Sequence, residues 1–124
     1  MIDTKILDLA VQDLRNILRD GLIATDIWDR VDGLSLAGYN QQPVAVALFT
    51  RITTELQSSL ADSGFPPLSR YYLLDMENNH TAAVINHGGL LQGMLVDNKR
   101  ANLGILISVA IPRMLESVAR AKPR

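Results

Sequence analysis

Asp26, Asp29 and Asp32 are the one run of closely spaced carboxylates in the chain. Oxygen ligands of this kind can hold calcium or magnesium. In an extended segment, however, alternation sends Asp26 and Asp29 to opposite faces, and Asp32 is accounted for by the Asp32-Gly33 turn. His80 and His87 stand at the two ends of one predicted strand. A metal site needs three or four converging protein ligands, so both are expected as turn-exposed histidines. There is no cysteine, which removes disulfides, thiolate catalysis and cysteine-based zinc sites. None of Ser35, Ser58, Ser59, Ser63, Ser69, Ser108 and Ser117 lies in a G-x-S-x-G elbow. No G-x-x-x-x-G-K-[ST] loop or strand-borne G-x-G-x-x-G is present, and Gly88-Gly89 reads as a turn. The expectation is a non-enzyme with no catalytic, cofactor or metal residues.

Other properties of the chain agree with a binding role. Its 124 residues suit a single domain, 1–124, with one core. Hydrophobic residues make up 48% and charged residues 20%, the composition of a packed globule. Aromatics are only 5%, so the core must be built from Leu, Ile, Val and Ala. A formal net charge of -1 gives no general attraction for nucleic acid or anionic lipid. No apolar run reaches the length of a membrane span, and the N-terminus lacks the order of a signal peptide. A cytoplasmic protein without membrane insertion is expected. Lys99, Arg100, Arg113, Arg120, Lys122 and Arg124 make the C-terminal portion basic. Arg120 and Lys122 suit the end of a helix; an acidic partner surface is the alternative.

Periodicity and turn residues give the elements. A first helix from Asp3 to Arg19 carries Leu7, Ala10, Leu14, Ile17 and Leu18 on one stripe, with Asp3 as N-cap and Gly21 as its end. Strands at Leu22–Asp29 and Leu34–Tyr39 flank the Asp32-Gly33 turn. A middle helix runs from Gln42 to Asp62, with Pro43 in its first turn and Ser63-Gly64 as its stop. Strands follow at Arg70–Met76, His80–Asn86 and Leu90–Val96. The last helix is predicted from Lys99 to Arg120, capped by Asp97 or Asn98, with Pro112 kinking it or opening one backbone hydrogen bond.

The order is α-β-β-α-β-β-β-α, with a mainly antiparallel five-stranded sheet. The third and fifth strands are apolar on both faces, so both faces need cover. A three-layer α/β/α sandwich is predicted, with the middle helix opposite the other two. That middle helix is apolar over nearly half its circumference: Val44, Leu48, Ile52 and Leu56, flanked by Ala45, Phe49 and Leu60. Packing on a sheet uses a stripe of about 100°. The excess favours a partner, and a homodimer is the simplest one.

Three stretches resemble the roadblock family of dynein light chain-type domains: Thr25 to Ala37, Gly93 to Asp97, and Ala101 to Leu106. The likeness spans nearly the whole chain. It implies a profilin-like fold and a dimer built from the middle helix and the third strand. The candidate interface is then Val44, Ala45, Leu48, Phe49, Ile52 and Leu56, with Tyr71 and Leu73. It also implies a scaffold or regulator of a Ras-like small GTPase, or of another signalling or motility protein. Such members reshape the GTPase, so no catalytic side chain transfers to a position here. Trp28 and Pro112 depart from the pattern. The alternative function is a small-molecule sensor of similar fold, for which Gln92 is the best buried polar candidate.

Overall fold

The computed structural model describes residues 1–123. Helix α1 (Thr4–Leu18) leads through a 3-10 turn (Arg19–Gly21) into strands β1 (Leu22–Asp29) and β2 (Ser35–Tyr39). Helix α2 (Pro43–Asp62) follows, then β3 (Tyr71–Met76), β4 (His80–His87) and β5 (Leu90–Asp97). The chain closes with α3 (Leu103–Ile105), a π-helical segment (Leu106–Ala110) and α4 (Ile111–Ala121), which run on as one helical rod.

Local chemistry sets these boundaries. The Asp3 carboxylate accepts from the Lys5 and Ile6 N–H groups at 3.0 and 3.4 Å, satisfying donors that α1 cannot pair itself. In the β1–β2 hairpin, Asp29 accepts from Val31 N–H and Asp32 accepts from Leu34 N–H, both at 2.8 Å. Gly33 takes φ +71° there. Asn78 and Asn79 both sit at φ +61° between β3 and β4, a turn geometry whose twist matches the paired strands. Gly21 acts differently from the expected helix terminator. A Cβ there would come within 2.2 Å of the Ala101 Cβ, so the residue is small to let two connections touch.

The sheet order is β2-β1-β5-β4-β3, and all four pairings are antiparallel. One face carries Ile27, Ala83, Ile85, Met94 and Val96. It packs on Leu7, Leu14, Leu106, Ile111, Met114 and Val118 of α1 and the C-terminal rod, forming the main core. The other face packs beneath α2 through a much smaller cluster of Trp28, Val46 and Leu91, with Phe49 beside it. The three-layer α/β/α arrangement and the side assigned to α2 are as the sequence predicts.

The start of the last helix is corrected. It begins at Leu103, capped by Asn102, whose side chain accepts from Gly104 N–H at 2.6 Å. Asp97 to Ala101 instead forms a turn, with Asp97 accepting from Lys99 N–H through its side chain and from Ala101 N–H through its backbone, both at 2.9 Å. The Asn98 N–H is drawn off to Asn79 O at 2.7 Å. Pro112 has no N–H for the carbonyls behind it, and the rod widens into the π-segment immediately before it, with Ile111 N–H reaching back to Leu106 O.

Candidate functional site

Helix α2 meets the sheet with a polar stripe. At 3.6 residues per turn, Val46, Thr50, Thr53 and Gln57 fall on one line. Val46 and Thr53 are its buried residues. The Thr50 hydroxyl donates to Val46 O at 2.7 Å, which leaves it free to accept from the Trp28 indole N–H at 2.8 Å. The Thr53 hydroxyl likewise donates to Phe49 O at 2.7 Å. Its single proton is then used, so the Tyr72 hydroxyl, 2.8 Å away, is the donor. Burial pushes the Tyr72 phenol above its usual pKa, although the bond to Thr53 and the nearby Arg30 charge oppose the shift. Arg30 donates to Thr54 at 3.4 Å and also to Gln57.

The apolar residues of α2 lie elsewhere on the helix. Ala45, Phe49, Ile52 and Leu56 centre about 100° round from the sheet-facing line. Leu48 and Val44 continue outward, 44% and 80% exposed. This flank overhangs an apolar groove of about 230 Å³ between Ala45, Leu48 and Phe49 and the sheet, where Ala24, Ala82, Leu95 and Met76 form the floor. Met76 is 40% exposed. At the groove's base Asp26 is buried, with Ser35 donating to it and Gln41 donating to Ser35. Desolvation raises the Asp26 pKa, against the lowering effect of those bonds. The Ser35 and Gln41 side chains tie the β1–β2 hairpin to the entry of α2.

The six helical candidates, Val44, Ala45, Leu48, Phe49, Ile52 and Leu56, thus share one flank. Tyr71 and Leu73 do not join it. They turn to the opposite face of β3 and pack against the main core. On the α2 side of β3 are Tyr72, Leu74 and Met76, which alternation groups together but which the interface reading passes over. β3 is itself an edge of the sheet. The polar residues under α2 had no counterpart in the sequence reading. Their signal is a Val-Thr-Thr-Gln line at helical spacing, which an apolar-periodicity search ignores.

The histidines require a correction. His80 is partly buried and lies 3.1 Å from Glu77 O, but His87 is not turn-exposed. β4 runs one residue further than predicted, pairing His87 with Leu90, and the ring turns inward until the residue is 5% exposed. Its Nε2 lies 3.0 Å from Gln92 Oε1, and Lys122 donates to its carbonyl oxygen. Burial lowers the His87 pKa to about 4; the Gln92 bond opposes this and the Lys122 charge adds to it. Asp29 and Asp32 are turn residues, and among the described residues no three His, Asp or Glu side chains gather as a metal site would need. No helix among the described residues is long and apolar enough to cross a membrane.

Comparison places this architecture among known folds. No protein-family model matches the sequence, and no curated protein matches it. Solved structures do. MglB of Myxococcus xanthus superposes with a TM-score of 0.75 at 8% identity, over 98% of this chain and 94% of that one. The gliding protein MglB of Thermus thermophilus gives 0.71 at 20% identity, over 90% and 87%. A roadblock/LC7 domain from Streptomyces avermitilis gives 0.59 at 17% identity, over 91% and 92%. The chain has the roadblock/LC7 fold.

Proposed function

We propose that this chain is a non-catalytic homodimeric adaptor or regulator whose client is a Ras-like small GTPase. One observation carries the reading: α2 is held to its own sheet by Val46 and two threonine hydrogen bonds, while the apolar flank beside that line is covered only in part, with Ala45, Phe49, Ile52 and Leu56 half-buried and Leu48 and Val44 exposed over the groove. A helix whose only task was to cover the sheet would point its leucines inward. Each large apolar side chain left in water forgoes about 1.5–3 kcal/mol, so a contiguous flank of them favours a covering partner. A second copy supplies the same surface by symmetry. The open edge of β3 lies beside that surface. Edge pairing between copies would bring residues from both faces of the strand to the contact, so Tyr71 and Leu73 belong to the proposed interface alongside Val44, Ala45, Leu48, Phe49, Ile52 and Leu56.

The client follows from the family resemblance and is supported by the MglB likenesses in fold. A cytoplasmic location, and a signalling or motility protein as client, belong to the same proposal. The test is affinity capture from native extract with wild-type chain as bait, followed by measurement of GTP hydrolysis by the captured protein. A Ras-like GTPase among the retained proteins is the expected result. Its repeated absence, with the bait dimeric, would remove the client while leaving the dimer intact. The small-molecule sensor reading gains nothing from the groove, which is open and smaller than the roughly 300–1,000 Å³ typical of ligand pockets.

A further inference from the structure

A second concavity lies on the other side of the molecule, where α1 ends. It is an open cleft of about 550 Å³, and Arg15, Arg19 and Arg100 line it together with Asn16, Tyr39 and Asp20. The Arg15 guanidinium lies over the Tyr39 ring, 4.0 Å from its centroid. Arg100 lies 3.7 Å from Asp97 across an exposed pair. Neither Arg15 nor Arg19 has a carboxylate partner among the described residues. One basic side chain is expected where a helix ends, because of the helix dipole. Three around one cleft, with Asp20 in its lining and Asp97 beside Arg100, are more than the dipole requires.

The backbone at one of these arginines is unusual. Arg19 is the C-cap of α1 and sits at φ +51°, ψ -128°, a conformation that glycine adopts without strain and a Cβ-bearing residue does not. Here an arginine is held there under strain, with its side chain in the cleft.

We propose that this cleft binds a small, multiply charged oxyanion, a phosphate or pyrophosphate group free or carried on a small molecule. The guanidinium fork matches phosphate geometry bidentately, and a phosphate monoester carries about -1.5 to -2 charges at neutral pH, enough to engage several arginines at once. The cleft is larger than a lone phosphate, leaving room for the body of an ester. The cleft shares no lining residue with the groove under the α2 flank, and the proposal does not depend on the proposed dimer or its client.

The experiment is isothermal titration of the full chain with inorganic pyrophosphate and with inorganic phosphate, in buffer of about 150 mM salt to screen loose surface attraction. Saturable binding of pyrophosphate is expected, with Kd of about 1 mM or tighter. Arg19→Gly and Arg15→Ala should each weaken it at least about tenfold, which is ~1.4 kcal/mol. Arg113→Ala, whose guanidinium pairs with Asp13 at 2.9 Å, should leave it unchanged. Arg19→Gly also relieves the backbone, so its thermal midpoint should hold or rise while binding falls. That combination separates loss of a ligand from loss of the fold. No saturable binding by wild type, or equal binding by Arg19→Gly, Arg15→Ala and Arg113→Ala, would overturn the proposal. So would binding of an acidic peptide but of neither phosphate probe.

Discussion

At Trp28 the indole lies over Gly93, where an added Cβ would come within 3.2 Å of the ring, and its N–H reaches the Thr50 hydroxyl. The side chain therefore spans the space between sheet and α2 with both its apolar body and its polar end. Trp28→Phe removes the donor and leaves part of the indole's space unfilled. The expected loss is about 2–4 kcal/mol in urea unfolding at neutral pH, with the slope unchanged. His87 supports a second prediction at this scale. Its ordinary pKa of 6.5 falls to about 4 in the fold, so between those values the unfolded chain binds more protons. The stability it contributes is present above pH 6.5 and is lost as pH falls toward 4. From pH 7 to pH 4.5 this amounts to about 2–3 kcal/mol. His87→Gln should flatten the pH dependence by that amount relative to wild type, read as the difference between their urea midpoints.

Elements were legible where one local cue decided them. Asp3 names the start of α1, Asp32-Gly33 names its turn, and Pro43 opens α2. Apolar strands facing both ways required helices on both sides. The reading failed where a longer-range contact overrode the local cue. Asp97 and Asn98 look like caps, but their backbone groups are engaged in a turn and in a bond to Asn79, so the helix waits for Asn102. His87 looks like a turn residue, but strand pairing carries it into the core. Gly21 looks like a helix stop, while its real constraint is Ala101, eighty positions away in the chain. Gly21→Ala should therefore be costly, at about 1–3 kcal/mol or more by thermal or urea unfolding. Glycine acting only as a flexible joint would predict no such penalty. On α2, periodicity found the apolar arc but could not say which line met the sheet. The Val46, Thr50, Thr53, Gln57 stripe decides that, and it moves the leucines to the flank.

For the whole molecule, the two sheet faces are unequal. One holds a deep core under α1 and the C-terminal rod. The other is covered by a helix pinned through hydrogen bonds over a small cluster. The asymmetry suits a domain that completes its second face by association, and it separates folding from assembly. The most direct measurement is sedimentation equilibrium of wild type and Leu48→Glu over a range of concentrations, with urea unfolding of both. Leu48 is 44% exposed, and glutamate is a good helix former, so the variant should fold with stability within about 0.5 kcal/mol of the isolated wild-type protomer. Wild type should sediment as a dimer and Leu48→Glu as a folded monomer. A wild type that stays monomeric at the highest concentration, or a variant that dimerises equally well, would contradict the placement of the interface on α2.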